Sequence, residues 1–311
     1  MADAFREALE QASAIEEEIR KKKAGGAKEA ELNALYIKKA RALRPCTRPT
    51  ANERVYLARR LDRPHMEDFV GALCTDFFEQ KGDHLYGDDP AILGGIARFH
   101  GIPVTVVGHR KGHTVKENVA CNFGMPKPEG YRKALRIMEQ AEKFRRPILT
   151  FVDTPGAYPG KDAEEHGQGE AIARSLAAMS RFHVPVLCIV TGEGNSGGAL
   201  ALSVANRILM LEYAVYSVLS PEGFASILWK DSERAGEAAG LMKLTAEDLL
   251  ESGTVDEIIP EPLGGAQEDP GRLYASLDLA LSKNLSVLSS LSPEELRQDR
   301  MRKFRELGTG A

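Results

Sequence analysis

The sequence lacks several features that would place it in whole classes of protein. No run approaches the ~18 to 20 apolar residues of a membrane span, and the N-terminal segment has no apolar secretory region. Basic and acidic residues nearly balance, 41 against 45, so the net charge of -4 gives no electrostatic support for nucleic-acid binding. We therefore expect a cytoplasmic protein that binds neither membranes nor nucleic acid.

Cysteine is scarce as well. The chain has four cysteines, none in a C-x-x-C pair, and they are Cys46, Cys74, Cys121 and Cys188. Zinc ribbons need such closely spaced pairs. We expect reduced cysteines that serve packing, with Cys188 in a buried strand, and no metal on this chain.

Histidine is missing from the last third of the chain. All seven histidines precede Ser196, and they are His65, His84, His100, His109, His113, His166 and His183. The pattern Gly194-x-Ser196-x-Gly198 is that of a nucleophile elbow, but an elbow hydrolase places its acid and then its histidine downstream of the serine. The sequence therefore excludes a hydrolase of that order.

Glycine is abundant, and it concentrates in one turn from Thr191 to Leu202. The same turn contains Gly192-x-Gly194-x-x-Gly197, the dinucleotide fingerprint, and Glu212 follows at the distance of a ribose-binding acid. A lone fingerprint is a weak signal. The other interpretation is purely structural, because a glycine turn also lets a helix pack close to a strand.

Two predicted buried strands end in glycine-rich loops. The strand 184–190 leads into the turn above and a helix that begins near Gly197, and the strand 146–153 leads into the loop 154–160. The intervening segment, 163–181, has helical spacing, which predicts a strand-helix-strand unit with parallel strands. Both loops then open on one edge of the sheet, where α/β proteins bind ligands.

Five motifs between about Pro45 and Ile259 carry a family resemblance. They are Asn122-Phe-Gly-Met-Pro-x-Pro-Glu-Gly-Tyr-Arg-Lys133, Asp153-Thr-Pro-Gly-Ala-Tyr-Pro-Gly160, Glu165-x-Gly167-Gln168-x-Glu170-Ala-Ile-Ala-Arg174, Gly192-Glu-Gly-x-Ser-Gly-Gly-Ala-Leu200 and Tyr216-Ser-Val-x-Ser-Pro-Glu-Gly-x-Ala-Ser-Ile-Leu-Trp229-Lys230. Together they resemble the carboxyltransferase α subunit of bacterial acetyl-CoA carboxylase.

The resemblance implies an α/β fold of crotonase type (ClpP/crotonase-like), a superhelix of β-β-α units. It also implies a separate β subunit that carries a zinc ribbon, in an α2β2 assembly, and cooperation with biotin carboxylase and a biotin carboxyl carrier protein. The cofactor is biotin, as carboxybiotin on that carrier and not on this chain. The implied reaction carboxylates acetyl-CoA to malonyl-CoA for fatty-acid biosynthesis. Another biotin-dependent acyl-CoA carboxylase or decarboxylase, or a noncatalytic scaffold, stays open as an alternative.

Three regions follow from the composition and the resemblance. Residues 1–44 are charged and helix-favouring, divided at Gly25-Gly26, and form a helical N-terminal extension. Residues 45–292 form the carboxyltransferase domain, and residues 293–311 a C-terminal helix with Ser292 as its N-cap. We also expect an extended linker over 41–49 and helices over 68–80 and 131–143.

The expected chemistry needs no side-chain nucleophile. Backbone N–H groups can stabilise the negative charge that develops on the biotin ureido group as CO2 leaves. We expect Gly197 and Gly198 to be the main donors, with Gly156 and Ala157 in the facing loop as second candidates. The residues predicted to contact substrate are Tyr158, Pro159, Ser196 and Phe224.

Other side chains near these loops receive structural interpretations. Ser196 is expected to cap the helix, and Asp153 and Glu165 to fix loops through backbone N–H groups, with a general-base role as the alternative. A basic cluster could attract a CoA phosphate or form a solvated loop, and its members are His109, Lys111, His113 and Lys116. Phe224 and Trp229 lie at helical spacing and are expected in the core or an interface.

Overall fold

The computed structural model describes residues 2–307, and its strands form one eight-stranded mixed sheet. The strands are β1 (Thr75–Glu79), β2 (Ile92–Phe99), β3 (Ile102–His109), β4 (Ile148–Thr154), β5 (Val186–Asn195), β6 (Arg207–Leu211), β7 (Val215–Ser217) and β8 (Glu257–Ile259). Their spatial order is β1-β2-β3-β4-β5-β6-β8, with β7 paired to β5.

Helices surround this sheet, and others precede its first strand and follow its last strand along the chain. They are α1 (Ala2–Ala24), α2 (Glu29–Ala42), α3 (Ala51–Ala58), α4 (Met66–Leu73), α5 (Val115–Ala120), α6 (Pro128–Lys143), α7 (Lys161–Glu165), α8 (Gln168–Met179), α9 (Ser196–Leu200), α10 (Pro221–Trp229), α11 (Ala235–Leu241), α12 (Ala246–Glu251), α13 (Pro270–Ser289) and α14 (Pro293–Glu306). Short 3-10 helices span Arg44–Thr47, Asn122–Gly124, Ser232–Arg234 and Ala266–Glu268.

The sheet changes direction where the chain passes from hairpins to crossovers. β1, β2 and β3 pair antiparallel, whereas β3 through β6 and then β8 run parallel. Every residue of β4 and β5 is buried, as two-sided covering of a parallel strand requires. β5 pairs with β6 over its first half and with β7 over its second half, so its C-terminal end leaves the main row of strands.

The N-terminal extension is a helical hairpin, as predicted. α1 and α2 pack against each other, and the break falls at Gly25-Gly26, where Gly26 has a φ of 73°. Phe5 and Leu9 on α1 are buried in a cluster with Leu57 and Tyr213 of the body. The hairpin is therefore packed on the body of the protein.

The last helix is fastened to the sheet by a buried arginine. Arg300 of α14 is fully buried and donates to the carbonyl oxygens of Met179, Phe182 and Val184, at 2.8 to 2.9 Å. It also reaches the side-chain oxygen of Asn206 at 2.6 Å. These carbonyl groups lie at the end of α8 and just before β5, where the backbone supplies no regular hydrogen-bond donor. Arg300 therefore satisfies acceptors that the secondary structure does not.

Two predictions of local structure were wrong. The segment expected as one helix over 68–80 is α4 followed by β1, and Thr75–Glu79 is a strand because it pairs with β2 at the sheet edge. The expected extended linker over 41–49 contains the end of α2 and a 3-10 helix, with Cys46 buried. The predicted helix over 131–143 is confirmed as part of α6.

Within residues 2–307, no helix has the length and apolar character that crossing a bilayer requires. Cys46, Cys121 and Cys188 are buried as free thiols, and Cys188 lies in β5 as predicted. Among the same residues, no group of three or more metal-ligating side chains is placed to hold an ion.

Candidate functional site

The two predicted glycine loops meet at one edge of the sheet. β4 and β5 are parallel neighbours with Thr154 aligned to Gly194, so the loop 155–160 and the turn 192–198 leave the sheet side by side. The strand-helix-strand prediction is confirmed by β4, α8 and β5.

Contact between the loops is tightest at Gly198. A Cβ added to Gly198 would lie 2.5 Å from the nitrogen of Ala157, 2.7 Å from the carbonyl carbon of Gly156 and 2.8 Å from the hydroxyl oxygen of Tyr131. These separations are far below the ~3.5 to 4.0 Å of ordinary contacts between non-bonded heavy atoms. A residue with a side chain therefore cannot take this position without moving the facing loop.

Three backbone donors at this junction have no protein acceptor within residues 2–307. Among the hydrogen bonds of residues 2–307, none uses the N–H groups of Ala157, Gly197 or Gly198 as donors. Those of Gly197 and Gly198 belong to the first turn of α9, where no intrahelical acceptor exists. Such donors can hold an anion.

Gly156 differs from its neighbour Ala157. Its N–H donates to the Thr154 hydroxyl at 3.0 Å, and that hydroxyl donates to the Gly156 carbonyl at 2.8 Å. Its φ is 139°, a conformation that side chains rarely adopt. Gly156 thus turns the loop, while its own N–H is already engaged.

Ser196 does not cap the helix, contrary to prediction. The N-cap of α9 is Asn195, without a side-chain cap bond, and Ser196 is an exposed residue with a φ of 61°. The left-handed conformation arises because the chain turns from β5 into α9 within one residue. For a non-glycine residue this conformation costs on the order of 1 to 3 kcal/mol. Its hydroxyl points to no protein partner among the described residues.

A buried charge network braces the ends of the two strands. The Lys111 ammonium lies 2.7 Å from Asp153 at the end of β4 and 3.0 Å from Glu193 in β5. Asp153 also accepts the N–H of Glu193 at 3.1 Å, and Arg59 donates to the other oxygen of Glu193 at 2.9 Å. The expectation that Asp153 fixes a loop through a backbone N–H is confirmed.

The charges in this network stabilise one another. Burial alone would raise the pKa of Asp153, but Lys111 and His65 lower that pKa well below its usual range. Burial likewise disfavours the charge on Lys111, yet Asp153 and Glu193 raise its pKa above the ordinary value. Lys111 and Asp153 are therefore ionised at neutral pH.

The interpretation of residues 109–116 as an exposed basic cluster was wrong. Lys111 and His109 are buried, and burial lowers the pKa of His109 to about 4, so its ring is neutral. His113 is exposed with its ring nitrogen 2.9 Å from Asp68, and Lys116 is exposed. The two buried members lie at the end of β3 and just after it, where they pack under the loops rather than face a phosphate.

Glu165 does not fix a loop. It is exposed, and its ion pair is with Lys161 one turn earlier, at 3.4 Å. A pair of this kind on the surface contributes little to stability. The structural expectation for Glu165 was therefore wrong, and the other expectation, general-base catalysis, has no support from its surroundings.

The remaining predicted substrate contacts lie around the junction in different settings. Tyr158 is half-buried, with its N–H donated to Pro126 and the Lys127 ammonium 5.0 Å from its ring centre, and Pro159 is exposed. Phe224 lies on α10, half-buried and edge-on to Trp229 at 6.0 Å. Phe224 and Trp229 both lie on α10, in keeping with their helical spacing, and neither is buried in the core.

α10 is connected to the glycine turn by ion pairs. Arg59 bridges Glu193 in β5 and Glu222 in α10, at 2.9 and 2.7 Å. The Ser217 hydroxyl, just before α10, donates to the side chain of Asn195 at 2.8 Å. These contacts connect α10 directly to the end of β5, where the turn begins.

Sequence reasoning missed the residues that support the turn from below. Arg63 is fully buried, donates to the carbonyl of Thr191 at 2.9 Å and forms two bonds with Glu261. The sequence contains one indication of this support: Glu193 is an acid inside an otherwise apolar buried strand, and such a residue needs a partner. Lys111 and Arg63 gave none, since their partners are far away along the chain.

The dinucleotide interpretation has a structural obstacle at Glu212. Its carboxylate accepts the backbone N–H of Glu261 at 3.0 Å, so it fixes the chain after β8 and is engaged. The turn also follows the fifth strand, whereas a dinucleotide fingerprint normally follows the first strand of its βαβ unit.

Comparison with solved structures defines the class of fold. A chain of transcarboxylase 12S, from a hexamer with methylmalonyl-coenzyme A bound, matches 75% of this chain and 42% of its own with a TM-score of 0.61 and 19% identity. A chain of a Pseudomonas malonate decarboxylase hetero-tetramer in complex with coenzyme A matches 70% of this chain and 86% of its own with a TM-score of 0.57 and 18% identity. The predicted crotonase-type fold of carboxyltransferases is confirmed.

Sequence relatives narrow the class further. Residues 4–308 match the family model described as acetyl co-enzyme A carboxylase carboxyltransferase-like. Relatives named acetyl-coenzyme A carboxylase carboxyl transferase subunit alpha are 57% identical in Bacillus velezensis and 56% identical in Sorangium cellulosum, over 82% and 84% of this chain and 79% and 82% of theirs. The chain belongs to the acetyl-CoA carboxylase carboxyltransferase family, as the sequence motifs indicated.

Proposed function

We propose that this chain is the α subunit of an acetyl-CoA carboxylase carboxyltransferase. With a β subunit it transfers the carboxyl group from carboxybiotin on a carrier protein to acetyl-CoA, which gives malonyl-CoA. The family membership supports the reaction. The observation that carries the site assignment is the group of N–H donors at Ala157, Gly197 and Gly198, which have no acceptor among residues 2–307 and lie where the two loops meet at Gly198.

The junction fits a ligand that develops negative charge on an oxygen. Carboxybiotin, when bound, supplies the carboxyl group and a ureido oxygen on which charge collects as the carboxyl group leaves. The chain's contribution is fixed dipoles, because the first-turn N–H groups of α9 and the Ala157 N–H are already held at the junction and need no reorganisation to donate. Gly156 contributes by its left-handed turn, because Thr154 already holds its N–H.

The buried ions hold these donors in place. Lys111, Asp153 and Glu193 link the end of β4 to β5, and Arg63 holds the carbonyl of Thr191 at the start of the turn. A loop displaced by ~1 Å can lose about a hundredfold in rate, so rigid strand ends are as necessary as the donors themselves. None of these side chains needs to act as a nucleophile.

A partner surface lies beside the site. Three side chains at and just before α10 are strongly exposed: Val218 by 79%, Ile227 by 69% and Leu228 by 58%. We call this set the α10 face. It is apolar and connected to the turn through Arg59 and Glu222, and apolar patches of this kind mark protein contacts. We assign the α10 face to the β subunit, on which we expect the zinc ribbon, in an α2β2 assembly.

The experiment that tests this function combines the purified chain with a zinc-ribbon β subunit from the same source, free biotin and malonyl-CoA. We expect biotin-dependent loss of malonyl-CoA with both subunits present and almost none with either alone. Strong activity of this chain alone, or none from the pair, would contradict the proposal.

Variants then test the assigned surface. Replacing Ile227 and Leu228 together by glutamate should weaken association with the β subunit, because charged groups would have to be buried. Leu279, exposed by 71% on α13, gives the matched control: Leu279→Glu should leave association unchanged. If both variants bound the β subunit equally well, the contact would have to lie on another surface of the chain.

A further inference from the structure

One buried hydroxyl beneath the glycine loops has no hydrogen-bond partner among the described residues. Tyr131 lies on α6, is fully buried, and packs its ring among Ala157, Ala171, Ile172 and Ala201. Its neighbours are short or aliphatic, so the ring fills space between α6, α8 and the loops. In the part of the chain that the structure describes, its hydroxyl has no hydrogen-bond partner.

An unbonded buried hydroxyl is unusual. Buried tyrosines nearly always place the O–H group on an acceptor, because leaving a polar group unpaired away from water costs free energy. A phenylalanine would fill the same space at Tyr131 without that cost. The resting fold therefore gives no reason for the hydroxyl.

The hydroxyl lies at the junction of the two loops. A Cβ built on Gly198 would be 2.8 Å from the Tyr131 oxygen and also 2.5 Å from the Ala157 nitrogen and 2.7 Å from the Gly156 carbonyl carbon. All three groups thus border one small volume. The peptide between Gly156 and Ala157 borders this volume, and its N–H has no acceptor among the described residues.

We propose that Tyr131 is a positioning residue whose hydroxyl bonds to the Gly156–Ala157 peptide when the loops bind the reacting oxygen. This inference rests on the function proposed above. A hydrogen bond to the peptide carbonyl polarises the peptide and strengthens its N–H as a donor, since linked hydrogen bonds reinforce one another. The Gly156 carbonyl already accepts the Thr154 hydroxyl and has a second lone pair for Tyr131.

The two possible roles of Tyr131 predict opposite patterns. A hydroxyl that serves only the fold should lower stability when removed and leave turnover unchanged. A hydroxyl that bonds only during the reaction should leave stability equal or higher when removed and lower kcat. The substitution Tyr131→Phe keeps the ring and removes only the oxygen.

The test compares Tyr131→Phe with wild type in the complex with the β subunit, by kcat and KM for malonyl-CoA decarboxylation with free biotin, and by thermal unfolding of the chain. We expect kcat to fall about tenfold, which is the effect of ~1.4 kcal/mol, with KM unchanged and Tm equal to or above wild type. Tyr274→Phe is the matched control, since Tyr274 packs edge-on to Phe69 within the core and should leave kcat unchanged.

Three results would overturn the inference: an unchanged kcat, a KM increase that accounts for the whole loss, or a lowered Tm for Tyr131→Phe. The last would mean that the hydroxyl has a partner, such as a buried water, in the resting protein. An inactive wild-type complex would instead contradict the proposed function, and the unfolding comparison would still decide whether the hydroxyl serves the resting fold.

Discussion

The substitution Gly198→Ala should abolish most activity while the protein still folds. The added methyl carbon would start 2.5 Å from the Ala157 nitrogen and 2.7 Å from the Gly156 carbonyl carbon. Relief of these contacts to ~3.5 Å requires the two loops to separate by roughly 1 Å. A displacement of that size in a positioning element costs on the order of a hundredfold in rate.

The loss of one backbone hydrogen-bond donor predicts a similar decrease in rate for Gly198→Ala. Removal of a single oxyanion donor in other enzymes lowers kcat by ~100- to 1,000-fold, or about 3 to 4 kcal/mol. Overpacking of this kind destabilises a fold by ~1 to 3 kcal/mol, which a domain of this size tolerates. We therefore expect kcat of Gly198→Ala to be at least about a hundredfold below wild type.

The assay is steady-state decarboxylation of malonyl-CoA with free biotin and the β subunit, with circular dichroism to establish folding. Gly169 supplies the control, since it is an exposed residue of α8 near the same loop with nothing within 4 Å of its would-be Cβ. Gly169→Ala should keep full activity and gain about 0.5 to 1 kcal/mol of stability. A folded Gly198→Ala variant within about threefold of wild-type activity would refute the reasoning, because the loops would then tolerate separation.

Three further predictions concern single side chains. Ser196→Ala should keep activity within about threefold, because we assign the chemistry to backbone donors; a folded but inactive variant in the decarboxylation assay would mean that the hydroxyl reacts. Lys111→Met should lower the free energy of unfolding by about 3 to 5 kcal/mol in urea titration, because the buried Asp153 carboxylate would lose the lysine that compensates its charge while Glu193 keeps only Arg59, whereas exposed Lys116→Met should change it little. The folded-state pKa of His109, about 4, lies below the ~6.5 of the unfolded chain, so the unfolded state binds the extra proton and stability should fall by about 3 kcal/mol between pH 6.5 and 4. Urea titrations of His109→Leu across that range should show a weaker pH dependence than wild type, and an identical dependence would contradict a buried neutral ring.

The sequence was sufficient for the features that depend on local pattern. The glycine loops, the parallel unit of β4, α8 and β5, and the helix α6 followed from buried apolar runs and helical spacing. β1 did not, because this short segment becomes a strand only through pairing with β2. Local preference is overridden there by a tertiary contact.

The support of the site was also beyond local reasoning. Lys111 joins Asp153 and Glu193, which lie 42 and 82 residues away along the chain, and no spacing rule connects them. Ser196 was expected to cap α9 because serine favours that position, but the tight exit from β5 forces it into a left-handed conformation. Both differences arise where the fold imposes geometry for the site.

The buried Arg300 has a practical meaning for anyone who trims or tags this chain. Its guanidinium holds carbonyl groups of Met179, Phe182 and Val184, so the final helix closes the entrance to the strand that ends in the glycine turn. A protease that removed this helix would expose the base of β5. Shortened versions of the protein should therefore keep all of α14, and an affinity tag at the C-terminus should be separated from this helix by a flexible spacer.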